Sequence, residues 1–192
     1  MKYVRTLGLL AVAATALMAF AGTASATLTS PPGTKYGGEI VATSTNTQLD
    51  GTVDITCGHS EIAVQVNTGA TSGIIRNLTF TNCSRTVTPE YFIEIPSLRR
   101  DYGSVSIDSA GTVRSSWVKV TVQTTILGFP VHCIYKTSIT DVGTLTEGVA
   151  PAKMHIGSAP IPQETTSGLC GEDAEWTGTY TVTKPFSAIT ID

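Results

Sequence analysis

The chain has 192 residues, with 12 Lys and Arg against 15 Asp and Glu and a formal charge of −3. This length predicts one domain that is large enough to bury roughly 70% of its unfolded surface. A negative chain without a block of Lys and Arg lacks the clustered cations that phosphate contacts require, so we expect no nucleic-acid partner.

Residues 1–26 have the three parts of a secretory signal peptide. Two cations begin the segment, residues 7–20 form an apolar run, and Ala24 and Ala26 supply the small residues before a cleavage point. The run is shorter than the roughly 20 residues that span a bilayer, and its alanine-rich composition is typical of bacterial signals. We therefore predict a bacterial protein that is cleaved after Ala26, secreted to the extracellular space, and not inserted in the membrane after signal removal.

The predicted mature chain, residues 27–192, has a formal charge of −5, because the signal carries two cations and no acid. Residues 27–38 contain a Pro-Pro-Gly sequence and few apolar side chains, which predicts a flexible leader. Residues 39–192 show no internal repeat, so we expect a single β-sandwich domain there.

The chain has four cysteines, and four cysteines in an exported protein favour two disulfides. Three connectivities are possible. We favour Cys57–Cys83 and Cys133–Cys170, because neighbours in sequence close the shortest loops. No C-x-x-C occurs and a histidine lies beside only one cysteine, so we expect no metal site and no cofactor.

Short runs of alternating apolar and polar residues fill the mature chain. In one of them Val118, Val120 and Val122 alternate with polar side chains. A period of two places one face of a strand on a core, and Gly-containing turns such as Asp50-Gly51 separate the runs. The pattern predicts an all-β fold, a single antiparallel β-sandwich with a small β-barrel as the alternative. This build resembles small bacterial exported disulfide-linked β-sandwiches, a likeness that implies no function.

Catalytic motifs of secreted hydrolases are missing from the sequence. Neither G-x-S-x-G nor H-E-x-x-H occurs. A hydrolase would therefore need a site assembled from dispersed residues, and His59, Asp54 and Ser60 are the group to test first. We expect no catalytic residue, and an ordinary surface turn after Cys57 is the simpler interpretation of this group.

Trp117 is the candidate binding residue. In the alternating run it shares its face with the polar residues, opposite the valines. A regular strand would therefore place its ring on the surface. Exposed rings stack on other ring systems and on sugars. Trp117 is therefore predicted to contact an extracellular protein or glycan, unless a bulge near Ser115-Ser116 turns it inward.

The dibasic pair Arg99-Arg100 follows a proline and is predicted to form a charged turn. Such a turn is either a solvated loop or the bait of a protease inhibitor. The sequence as a whole predicts a secreted non-enzymatic protein that acts in extracellular binding or surface association. A small secreted hydrolase and a secreted protease inhibitor are the alternatives.

Overall fold

The computed structural model describes residues 27–30, 33–51, 54–90, 92–95, 99–164, 168–171, 173–185 and 187–192. The predicted signal peptide, residues 1–26, lies outside the described residues. No helix with the length and apolar character to span a bilayer occurs within these ranges.

The described residues form sixteen β-strands and no helix, which confirms the predicted all-β class. Strand-favouring Val, Ile and Thr fill them, and Gly or polar turns separate them. The strands are β1 Leu28–Thr29, β2 Glu39–Ser44, β3 Thr47–Asp50, β4 Ile55–Val66, β5 Ser72–Cys83, β6 Thr86–Glu90, β7 Phe92–Ile95, β8 Arg99–Tyr102, β9 Ser104–Ile107, β10 Thr112–Ser116, β11 Lys119–Ile126, β12 Phe129–Lys136, β13 Thr140–Thr146, β14 Lys153–Pro162, β15 Asp173–Lys184 and β16 Thr190–Ile191.

Eight strands close into an antiparallel barrel. Their order is β14-β13-β10-β9-β5-β4-β2-β15, and β15 returns to pair with β14. Closure leaves no free edge in this ring. The predicted sandwich is therefore not confirmed, and the predicted alternative, a barrel, describes this sheet. The alternation of side chains could not separate the two, because both architectures bury one face of each strand.

A three-stranded sheet, β12-β11-β6, lies against one end of the barrel, where β4 begins and β5 ends. On β4, Val64 faces the barrel interior, whereas Ile55 faces a second apolar core shared with Val120 and Tyr135 of the three-stranded sheet. Strand β3 continues the line of β2 and pairs with both β15 and β4 at this end. We call the closed eight-stranded sheet the barrel, and we call the three-stranded sheet with the second apolar core the layer.

Leu78, Val118 and Trp176 face both cores and form the boundary between barrel and layer. The rings of Trp176 and Tyr180 pack edge to face, with centroids 6.0 Å apart. The long strands β4, β5 and β15 therefore pass from one region to the other with continuous packing between the two cores.

Strands β1 and β16 pair with each other at the opposite end of the barrel. Leu28, within the segment predicted as a flexible leader, is 4% exposed, and its N–H donates to the carbonyl of Ala70 at 2.8 Å. Ser30 Oγ donates to the carbonyl of Ala188 at 2.9 Å. Residues 27–30 of the predicted leader are therefore built into the fold by burial and by hydrogen bonds to distant segments.

Both predicted disulfides are confirmed. Cys57–Cys83 joins directly opposed positions of β4 and β5, and Cys133–Cys170 joins β12 to residues 168–171. Cys57 and Cys133 are buried, with 3% and 1% of their surface exposed. Both bridges lie at the layer end of the molecule, since Cys57 lines its core and Cys133 lies within its sheet.

Candidate functional site

A polar groove of ≈ 380 Å³ lies on the outer surface of the barrel, across strand β15. Its floor is formed by residues 177–179 of β15. One wall comes from β14, and the other comes from the connection between β2 and β3. The residues that line it are Ser44, Thr45, Asn46, Gln48, His155, Ile156, Gly157, Thr177, Gly178 and Thr179.

Two irregularities in strand pairing produce this groove. On β14, Ile156 pairs with Gly178 and Ala159 with Trp176, so β14 carries one extra residue there. On the other side, Thr43 pairs with Thr181 and Thr47 with Gly178, so the β2–β3 line also carries one extra residue. Bulges bend a strand away from its neighbour and re-aim its side chains. Two bulges that face each other across Gly178 therefore open a depression in an otherwise continuous sheet.

Local hydrogen bonds fix both walls. Ser44 Oγ donates to the carbonyl of Asn46 at 3.1 Å, which holds the connection between β2 and β3 in a tight bend. On β14, Ser158 has a φ of +62° and its hydroxyl donates to the Glu175 carboxylate. Few non-glycine residues adopt this backbone conformation. The bulge is therefore stabilised by its tertiary contacts and not by the intrinsic backbone preference of serine.

His155 lies at the centre of the β14 wall. Its Nδ1 is hydrogen-bonded to Oγ1 of Thr179 at 3.2 Å, which ties the imidazole to the groove floor. A Cβ on Gly157 would come within 3.2 Å of His155 Nε2, so glycine leaves the ring room in this position. The exposed histidine is thus oriented by its hydrogen bond to Thr179, with its second nitrogen beside Gly157.

A buried hydroxyl network lies beneath the floor. Ser60 Oγ donates to Tyr180 Oη at 2.8 Å and is 2.7 Å from Thr47 Oγ1. Burial raises the pKa of Tyr180, and the hydrogen bonds of Ser60 and Thr47 oppose that shift only in part. Satisfied buried hydroxyls make a stiff support. The groove therefore rests on a fixed base and not on a mobile loop.

Most of the lining side chains carry hydrogen-bonding groups, and these include both donors and acceptors. Hydroxyls come from Ser44 and three threonines, amides from Asn46 and Gln48, and an imidazole from His155; no Asp, Glu, Lys or Arg is among them. Among the described residues, no group of three or more His, Cys, Asp and Glu is arranged to hold a metal ion. The arrangement suits the hydrogen bonding of an uncharged polar ligand.

Trp117 is on the surface, with 46% of its area exposed. The strand breaks at this residue, which has a φ of +62°, and not at Ser115-Ser116. Lys136 Nζ lies 5.1 Å from the centre of the indole ring and 2.9 Å from the Glu164 carboxylate. One face of the ring therefore already has a cation–π partner.

His59, Asp54 and Ser60 are not brought together as a catalytic group. Ser60 is fully buried and its hydroxyl is bonded to Thr47 and Tyr180. His59 is the next residue on β4, so its side chain points to the opposite face of the strand. Asp54 is exposed and precedes β4. Alternation alone separates the serine from the histidine.

The dibasic pair does not form the predicted turn. Arg99 and Arg100 begin β8, where they pair with Ile95 and Glu94 of β7. The residues that connect these two strands, 96–98, lie outside the described residues. The pair is thus held in antiparallel pairing with β7.

Sequence reasoning missed the groove because none of its residues belongs to a motif. The available signals for the groove were indirect. Thr177 and Thr179 lie on the solvent-facing side of a strand, and Gly157-Ser158 interrupts the alternation of β14. Comparison with protein-family models, with curated proteins and with solved structures finds no match.

Proposed function

We propose that this protein is an exported, non-enzymatic binding protein, and that the polar groove across β15 holds a neutral, hydroxyl-rich ligand such as a saccharide. The observation that carries the proposal is the lining itself, in which threonine hydroxyls, the Asn46 and Gln48 amides and the His155 imidazole are accompanied by no Asp, Glu, Lys or Arg. Sugars present closely spaced hydroxyls that both donate and accept, as these side chains do.

The site geometry supports binding over catalysis. The groove is open to solvent, and its only imidazole is bonded to a threonine hydroxyl. A nucleophilic mechanism needs a nucleophile, a base and an orienting group in hydrogen-bonding sequence. Thr179, His155 and the neutral side chains around them supply no acid to orient the base.

Export supports the choice of ligand class. The predicted signal peptide and the two disulfides are consistent with an extracellular protein, where polysaccharides are abundant. No Lys or Arg is among the residues that line the groove, so phosphate or carboxylate would find neither of these partners there. A neutral glycan is therefore a better match than an anionic one.

A panel of neutral and anionic saccharides, followed by calorimetric titration of each hit, tests the proposal. Thr179→Val keeps the shape of an exposed side chain and removes one hydroxyl from the floor. One hydrogen bond contributes about 1 kcal/mol, so we expect roughly fivefold weaker binding of a neutral hit. The same change at Thr88, exposed on β6, is the matched control and should leave the affinity unchanged.

Two outcomes would overturn the proposal. One is a panel in which no neutral saccharide binds at millimolar concentration while the protein is folded. The other is a hit whose affinity falls equally in Thr179→Val and Thr88→Val, since that would place the ligand away from the groove.

A further inference from the structure

The barrel interior contains an apolar cavity of ≈ 80 Å³. Mainly apolar side chains from all eight barrel strands line it, and several of them are small. Ala42, Val64, Val113 and Val182 all point inward there. An eight-stranded barrel is just wide enough for side chains to fill or to hold one small ligand, so small inward residues leave the space unfilled.

The cavity is shielded from solvent at the end where β1 and β16 pair. Leu28 of β1 and Ile189, which directly precedes β16, are 4% and 0% exposed and line the cavity at this end. Thr27 and Asp192 exchange two backbone hydrogen bonds of 2.8 and 2.9 Å beyond them. The short β1–β16 ladder therefore separates the cavity from solvent with few hydrogen bonds.

Water is a poor occupant of this space. A buried water needs two to four polar partners, whereas the cavity wall consists almost entirely of aliphatic carbon. A dry cavity of about 150 Å³ with a similar lining takes up benzene or xenon. The cavity of ≈ 80 Å³ is smaller than that, so its occupant must be smaller than a substituted aromatic ring.

We propose that the barrel interior is a binding site for one small apolar molecule, of the size of xenon or of a short hydrocarbon group. The occupant is held by dispersion contacts and by exclusion from water, with no directional bond. The site is separate from the polar groove, because the groove lies on the outer face of β15 and the cavity on the inner face. A substitution that abolishes binding at one site should therefore leave binding at the other site unchanged.

Xenon is the probe. Methyl resonances of the purified full protein are recorded under increasing xenon pressure, with the assigned methyls of Val113, Val182 and Ile75 as reporters. We expect saturable shifts that are confined to methyls of the cavity wall. The methyls of exposed Leu127 and Val149 are internal references and should move linearly and little.

Two cavity-filling variants separate a site from nonspecific uptake. Ala42→Leu adds three carbon atoms inside the cavity and should abolish the saturable shifts. Val113→Ile adds one methyl group, perturbs folding less, and should weaken xenon binding measurably. Ala110→Leu makes the first change at an exposed position and should bind xenon as the unmodified protein does.

The proposal is overturned if the cavity methyls respond linearly, as the exposed ones do, or if Ala42→Leu and Val113→Ile bind xenon unchanged. Magnetisation transfer from water to the cavity methyls would also overturn it, because the space would then be hydrated. Thr179→Val should bind xenon normally, so failure here and failure of the groove proposal are distinguishable.

Discussion

The barrel and the layer are stabilised by different means, although the same long strands run through both. Every strand of the barrel ring is paired on both sides, whereas β12 and β6 are the edges of a sheet of only three strands. Both disulfides lie at the layer end. The barrel has the larger void, ≈ 80 Å³ against ≈ 30 Å³ in the layer core.

The contrast between the two regions indicates that the layer, rather than the barrel, depends on the disulfides. A closed sheet satisfies its backbone groups internally and has no edge to fray. A three-stranded sheet with a small core buries little surface, and cross-linking compensates for that. Cys133–Cys170 fastens the edge strand β12 to the 168–171 segment, next to the backbone hydrogen bond of 2.7 Å from Glu164 N–H to the Ile134 carbonyl.

The largest expected effect is the loss of this bridge. In the chain-entropy model a disulfide across 37 residues contributes about 4 kcal/mol to the free energy of unfolding. We expect Cys133→Ala with Cys170→Ala to lower that free energy by about this amount in urea unfolding followed by circular dichroism. A loss of under about 1 kcal/mol would show that the layer does not depend on the bridge.

A second substitution tests the barrel. Leu28 is 4% exposed and lies against the cavity, so Leu28→Ala removes buried carbon and enlarges an existing void. We expect a loss of about 3 kcal/mol in the free energy of unfolding. Leu127→Ala is the matched control, since this leucine is 86% exposed and its truncation should cost little. Equal losses of unfolding free energy in Leu28→Ala and Leu127→Ala would mean that residues 27–30 do not seal the barrel.

The smallest expected effect is a gain of stability at the tip of the layer. Leu127 and Gly128 form a two-residue hairpin turn between β11 and β12, with φ values of +51° and +84°. Asparagine tolerates the first position far better than leucine does. Leu127→Asn should raise the free energy of unfolding by about 1 kcal/mol. An unchanged or lower value in thermal unfolding would show that the exposed leucine makes contacts that offset its backbone strain.

Part of this fold was predictable because its signals are local. Alternation identified Val118 and Val122 as inward-facing, and both are buried. The proximity of the cysteines in sequence gave the correct pairing, since β4 and β5 form a hairpin that brings Cys57 opposite Cys83. These features depend on a few neighbouring residues.

The remaining features depend on distant strands. Closure requires β15 to pair with β14 on one side and with β2 on the other, and alternation carries no information about that choice. The groove arises where bulges at residues 45–46 and 157–158 meet across β15, although they are far apart in sequence. Trp117 is exposed as parity predicted, but it lies at a break between β10 and β11, and its partner Lys136 belongs to β12.

Hydrogen exchange in the presence and absence of a thiol reductant tests the contrast between the two regions most directly. With both disulfides reduced, we expect amides of β11 and β12 to lose protection, while amides of β9, β10 and β13 in the barrel ring keep it. Equal loss of protection in both sets would contradict the account, because the barrel would then depend on the same covalent bonds as the layer.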